Sequence, residues 1–315
     1  MTQTELRGAV LIDLSVAIVS MMAQEPLCRL VQGEDGLPPR LPFGPFFPLE
    51  HRTMEAGLRQ WVAAQVGVTL GHVEQLYTFG DRGRHAVAAD EEHVVSVGYL
   101  ALTRMQGLEA SPDWKSLYHF FPWEDWREGR PDLIDQALLP ALEAWLARAA
   151  PASKTEATRR AFGMDTPWDE ELVLERYELL YEAGLVPEAY QDGRVSDDYI
   201  LPRSVSGQAL QLDHRRILAT ALGRLRGKMK YRPVIFDLME DLFTLGQLQQ
   251  TTEAILGARL HKQNFRRLVD RSQLIESTGQ IARARGRPAE LFRFRYGVAR
   301  ERPHAGLRIS RGRRS

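Results

Sequence analysis

The sequence predicts an α/β domain followed by a basic helix-turn-helix with a β wing, and three observations carry that prediction. Charge is segregated: residues 208–315 hold 23 Lys and Arg against 9 Asp and Glu, and residues 1–207 hold 18 against 32, so a net charge of zero hides two regions of opposite sign. Strand-like apolar runs surround a single amphipathic helical segment in the first hundred residues. The last third changes period from 3.6 to 2 after two short helical segments. The chain is accordingly divided into an acidic domain, 1–207, and a basic domain, 208–315. Positive charge gathered at one end makes a local phosphate-binding surface, because each neutralised phosphate releases condensed counterions.

In the acidic domain the runs Ala9–Met21 and Leu27–Val31 read as buried strands joined by a turn near Gln24-Glu25-Pro26. A Gly- and Pro-rich loop leads through Leu41-Pro42-Phe43-Gly44-Pro45 to a helix whose apolar face is Met54, Leu58, Trp61 and Val62 and which ends at Gly67. Two more strands, Val73–Phe79 and His93–Leu102, flank the loop Gly80–Glu92. Strands, one crossing helix and strands again predict an α/β sandwich rather than a bundle.

The middle of the chain is read more coarsely. Tyr118-His119-Phe120-Phe121-Pro122-Trp123-Glu124-Asp125-Trp126 is dense in aromatics, which either line a base-binding pocket or, more commonly, fill a core. Leu133–Ala149 and Asp169–Ala183 have helical periodicity. Leu212–Tyr231 reads as a long basic helix with Ile217, Leu218, Ala221, Leu222 and Leu225 inward. It is either a strut that brings Arg224, Arg226, Lys228 and Lys230 near phosphates or the first helix of the basic domain.

The basic domain can be read residue by residue. Thr244 precedes an apolar-periodic run, with Gln247 three residues later, the spacing of a reciprocal capping box. Gly257 follows Leu256 where a left-handed C-cap is wanted. A second helix begins near His261, with Phe265, Leu268 and Val269 on one face. Lys262, Gln263, Asn264, Arg266, Arg267 and Arg271 project elsewhere, and Gln or Asn can pair with an adenine edge and Arg with a guanine edge. Leu274–Thr278 and Leu291–Tyr296 then read as a hairpin. Its tip carries Arg283, Arg285, Gly286, Arg287 and Pro288, and Arg285-Gly286-Arg287-Pro288 has the form of an AT-hook core that enters a narrow minor groove; the alternative is a solvated basic loop.

Composition limits the rest. The lone Cys28 excludes an internal disulfide and a thiolate cluster, and His51, His72, His85 and His93 lack metal-pair spacing, so no metal site and no required cofactor are expected. Asp13 interrupts the apolar run near the N-terminus, so a signal peptide and a membrane span are not expected, and a cytoplasmic location is. No phosphate loop of the Gly-x-x-x-x-Gly-Lys-Ser/Thr kind occurs.

The order Leu41-Pro42-x-Gly44, Glu50, a helix ending Val66-Gly67-Val68, then Leu76-Tyr77-Thr78-Phe79-Gly80-Asp81 and Val94–Leu102 resembles a Nudix domain. Together with Asn264-Phe265-Arg266-Arg267, Thr278-Gly279 and Gly286–Phe294, it resembles Nudix-related, NrtR-like transcriptional regulators of NAD metabolism. The segments Trp168-Asp169-Glu170 and Glu175–Gly184 are similar to the NadQ branch of these regulators. The resemblance implies a Nudix-like α/β/α sandwich with a C-terminal winged helix, and a homodimeric repressor of NAD-biosynthesis genes on a palindromic double-stranded DNA operator. It also implies an adenine nucleotide effector, with ATP, NAD and ADP-ribose unseparated.

One departure bears on chemistry. A Nudix hydrolase needs an Arg-Glu-x-x-Glu-Glu helix whose carboxylates hold Mg²⁺ against a diphosphate. Anchored on Gly67, those positions are Gln60, Trp61, Ala64 and Gln65, and Glu50 alone cannot assemble the site. No catalytic residue is therefore expected. Candidate nucleotide contacts are Tyr77 and Phe79, which could stack on a base, and Arg82 and Arg84, which could pair with phosphates. The competing readings are a nucleotide-diphosphate hydrolase with a nucleic-acid-binding tail and an RNA-binding adaptor.

Overall fold

The computed structural model describes residues 9–34, 36–81, 92–105, 107–108, 111–149, 152–194, 201–282, 288–297 and 306–307. Its centre is a mixed sheet. Strand β1 (Ala9–Met22) turns at Ala23-Gln24 into β2 (Glu25–Arg29), followed by β3 (Phe43–Pro45), helix α1 (Met54–Val66), β4 (Val73–Phe79), β5 (Glu92–Leu102) and β6 (Trp114–Ser116). The strand order is β4-β5-β1-β2-β6, with β3 also on β1. β1 is parallel to β5 over Ala9–Val19, and on its other edge it is antiparallel to β3 at Asp13–Ser15 and to β2 at Val19–Met22.

A central strand buried on both faces needs a near-continuous apolar run, which β1 and β5 supply. Leu14, Val16 and Ile18 point to one face and pack with Val97 and Tyr99 against Leu58 and Val62 of α1. Ala17 and Val19 point to the other, with Leu100 and Leu102. α1 starts at the Thr53 cap, which accepts from the Ala56 amide, and stops at Gly67, whose φ of 64° suits a residue without Cβ.

The second face is covered by helices. These are α2 (Leu117–Phe120), a 3₁₀ turn at Pro122–Glu124, a π turn at Ile134–Leu138 running into α3 (Leu139–Ala149), then α4 (Ala152–Ala161), α5 (Val173–Glu182), α6 (Pro187–Gln191), α7 (Arg203–Ser206) and α8 (His214–Met229). Tyr118, Phe120, Phe121 and Trp123 are buried here, so the aromatic segment is core and not an open base pocket. α8 crosses the sheet and packs on β1, β4, β5 and α5. Of the four cations expected near phosphates, three are paired within the protein, Arg226 with Glu124, Lys228 with Glu74, and Lys230 with Glu170 and Glu171, while Arg224 is exposed beside the Tyr77 ring. That corrects the reading of α8 as a phosphate-facing strut for Arg226, whose buried charge is stable only beside a carboxylate, and leaves Lys228 and Lys230 already engaged by carboxylates.

A 3₁₀ turn (Val234–Leu238) leads to α9 (Leu245–Leu256), α10 (Lys262–Ser272), β7 (Ile275–Ala282) and β8 (Ala289–Phe294). β7 and β8 pair as an antiparallel hairpin, and Phe243 bridges to Phe292. The second strand ends at Phe294, earlier than the alternation suggested, and Tyr296 is 72% exposed. Leu248, Ile255, Phe265 and Val269 belong to the same apolar cluster as Phe120, Trp123 and Leu222. The basic module is thus packed onto the helical layer through a continuous core.

Candidate nucleic-acid interface and nucleotide site

The α9-turn-α10 segment is framed by local chemistry. Thr244 Oγ1 accepts from the Gln247 amide at 3.1 Å while Gln247 Oε1 accepts from the Thr244 amide at 2.8 Å, closing the expected capping box. Gly257 takes φ 66°, and α10 begins after His261. Phe265 and Val269 are buried with Leu268 half-buried behind them. Lys262, Gln263, Asn264, Arg266, Arg267 and Arg271 are all exposed, and no ion pair holds these cations among the described residues. A cleft between α10 and the wing base is lined by Thr244, Gly246, Lys262, Arg266, Pro288 and Phe292. Free cations and amides on a rigid helix beside such a cleft can both read base edges and grip phosphates.

The wing hairpin is anchored by Phe294 stacked on Phe236, with ring centroids 4.4 Å apart. Arg293 is engaged by Glu276 at 2.6 Å. Arg283, Arg285 and Arg287 at its tip lie outside the described residues.

One residue that the sequence reading passed over organises the turn. Glu253 is 5% exposed, and its carboxylate accepts from the Leu260 amide at 2.9 Å, Gln249 Nε2 at 2.8 Å and Arg259 Nη1 at 3.2 Å. An acid in the last turn of a helix opposes the macrodipole, and that misplacement was the available signal.

In the sheet domain the Nudix-helix positions are filled differently from a hydrolase. Trp61 Nε1 donates to the Pro45 carbonyl at 3.0 Å, and Gln65 donates from Nε2 to the Phe43 carbonyl at 2.6 Å while accepting from the Phe43 amide. Gly44 is required beneath them, since a Cβ there would meet the Trp61 ring at 2.4 Å. Gln60, Ala64 and Glu50 are exposed. No cluster of three or more metal-type ligands occurs among the described residues. The donor set thus fits hydrogen bonding to β3, not a divalent cation coordinated by carboxylates.

The candidate nucleotide residues do not all converge. Tyr77 is 55% exposed, with Arg224 Cζ 6.0 Å from its ring centroid. Phe79 is buried at 4%, because the bulge between Gln75 and Thr78 turns it into the core, and Arg216 lies over its ring at 5.1 Å. Its place as a stacking residue is therefore corrected: the ring has no free face. Arg82 and Arg84 lie outside the described residues.

Sheet, helical cover and winged helix together make this a Nudix-like α/β fold with a C-terminal winged helix. Residues 235–294 match the NrtR DNA-binding winged helix domain. The fold over most of the chain is that of NrtR from Shewanella oneidensis: a structure of that protein with a 27mer DNA gives a TM-score of 0.56 at 20% identity, covering 95% of this chain and 99% of that one. A DNA-free structure of the same protein gives 0.52 at 20% identity, with 90% and 94% covered. An Acinetobacter baylyi protein described as the ADPR responsive transcriptional repressor NtrR is 44% identical over 91 residues, which are 28% of this chain and 36% of that protein. The match therefore spans about a third of the relative's length. The chain is thus similar to NrtR in overall fold, and its residues 235–294 are similar to the NrtR winged helix. No helix among the described residues is long and apolar enough to cross a membrane.

Proposed function

We propose that the protein is a ligand-responsive DNA-binding transcriptional repressor whose effector is ADP-ribose or a close adenine nucleotide. The observation that carries this reading is the exposed set Lys262, Gln263, Asn264, Arg266, Arg267 and Arg271 on a helix whose other face is buried. A surface of that kind suits duplex DNA, and no carboxylate among the described residues pairs with its cations. The choice of ADP-ribose over ATP or NAD is supported by the Acinetobacter relative, an ADPR responsive transcriptional repressor.

Trp61 and Gln65 stand where a hydrolase needs carboxylates, which supports a nucleotide being bound and left uncleaved. A bound nucleotide then regulates only through different affinities for the DNA-bound and DNA-free conformations. Tyr77, Arg82 and Arg84 are proposed contacts for it. The further elements of the reading are a homodimer on a palindromic operator, control of NAD-biosynthesis genes and a cytoplasmic location.

The test is to sequence the DNA fragments that the purified protein retains, with and without ATP, NAD and ADP-ribose. A recurring palindrome released by one nucleotide supports the reading, and retention of random fragments with no nucleotide effect defeats it. Magnesium-dependent turnover of ADP-ribose would favour the hydrolase. Preference for RNA over duplex DNA at matched salt would favour the adaptor. Replacing both Arg82 and Arg84 by Ala is expected to leave operator affinity without ligand near wild type and to abolish release; an unchanged ligand response would move the effector site elsewhere.

A further inference from the structure

We propose that Tyr118, Glu124 and Arg226 form a clasp that fixes the orientation of the winged helix on the sensor domain, so that the effector's influence on DNA binding passes through it. This rests on the ligand-responsive reading above. The last four carbonyls of a helix have no regular partner inside it and are satisfied by local caps, side chains or water. At the end of α9, three carbonyls instead accept from groups outside the winged helix. Tyr118 Oη donates to Ala254 O at 2.5 Å, Arg226 Nε to Ile255 O at 2.9 Å and the Trp126 amide to Gly257 O at 2.7 Å. These carbonyls immediately precede the turn that aims α10.

The donors are themselves held. Arg226 and Arg176 are both fully buried and flank the fully buried Glu124, with Arg226 Nη1 and Arg176 Nε each 2.5 Å from a carboxylate oxygen. Burial pushes the Glu124 carboxyl upward, but the two guanidiniums outweigh it and hold the group below its ordinary range. A Cβ on Gly257 would meet Glu124 O at 2.2 Å and both Arg226 Nη2 and Tyr118 Oη at 2.9 Å, so these residues converge on one point.

Such a buried ion set is a weak source of net stability compared with apolar packing, whereas its bonds are satisfied in only one geometry. Rotating α9 against the helical layer would strand buried donors, which makes discrete orientations favourable and intermediate ones costly. α8 joins the clasp to the sheet. Near its other end His214 Nδ1 accepts from the Leu41 amide at 3.2 Å, in the segment that leads into β3 beside Trp61. Twelve residues of helix separate His214 from Arg226, about 18 Å of rigid rod.

Glu124→Gln is the obvious variant but leaves two buried guanidiniums short of charge and can fail to fold. Tyr118→Phe keeps the ring and removes the donor to α9 together with the long 3.5 Å acceptor of Arg226 Nη2, leaving the Arg226–Glu124 pair intact. The experiment measures operator affinity of the full chain with and without saturating ADP-ribose, for wild type, Tyr118→Phe and the control Tyr181→Phe, whose hydroxyl bonds Asp192 at 2.7 Å away from α9. Thermal melting is recorded alongside. The ratio of the two affinities is expected to fall at least about fivefold in Tyr118→Phe, within the usual range of coupling factors, and to hold in Tyr181→Phe. An unchanged ratio in Tyr118→Phe, even with a lowered melting temperature, overturns the clasp. An equal fall in the control would mean general loosening and overturns it too. If wild type binds operator but shows no ADP-ribose response, the functional reading fails and the clasp falls with it.

Discussion

Trp61 Nε1 donates to the Pro45 carbonyl at 3.0 Å, so the α1 position that would carry a metal-binding carboxylate in a hydrolase here ties α1 to β3. The indole reaches Pro45 only because Gly44 leaves room. Gly44→Ala puts a Cβ 2.4 Å from the Trp61 ring, and overpacking of this kind costs about 1–3 kcal/mol. A clear fall in the denaturation midpoint is expected, and an unaltered midpoint would mean that β3 and α1 separate freely.

On the proposed DNA-binding reading, α10 is expected to separate base readout from phosphate contact. Arg267→Ala is expected to weaken specific operator binding by about 1–3 kcal/mol and to relax preference at one base position. Lys262→Ala should lower operator and random-DNA affinity alike and make the salt dependence shallower by roughly one unit. Titrations on both DNAs at several salt concentrations distinguish them, and identical profiles for the two variants would refute the assignment.

Loss of the α9 cap has a smaller effect. Thr244→Ala removes the acceptor of the Gln247 amide and is expected to cost about 1 kcal/mol of stability. Chemical denaturation measures it directly. Because the cap faces the cleft beside Lys262 and Arg266, operator affinity should fall in the same variant, and a stability loss without any affinity loss would place DNA away from that cleft.

Acid sensitivity should come in part from Glu74. Its carboxyl is held at about 2 by the His72 ring 3.7 Å away, against the opposing effect of burial, with help from the Lys228 ammonium. A carboxyl depressed on folding stabilises the native state above its unfolded value and loses that contribution as pH falls towards its folded one. The window is therefore about pH 4.5 down to 2. Allowing for partial solvent screening, the contribution is of order 2 kcal/mol. Glu74→Gln should flatten the acid limb of a stability profile there, and an unchanged limb would assign it to other carboxylates.

The sequence by itself determined the local elements. The capping box at Thr244 and Gln247, the left-handed Gly257, the amphipathic face of α10 and the strands Val73–Phe79 and His93–Leu102 are written in nearest-neighbour chemistry and period, which act over a few residues. The parallel pairing of β1 with β5, the turn of Phe79 into the core and the convergence of Tyr118, Glu124 and Arg226 on the end of α9 were decided only by the tertiary structure. Arg226 illustrates the reason. In sequence it is one of several helical cations that could face phosphates, and only burial beside Glu124, 102 residues away, converts it into an internal bond. Charge and composition report what a side chain can bind; which partner it meets depends on long-range packing that leaves no local periodic trace.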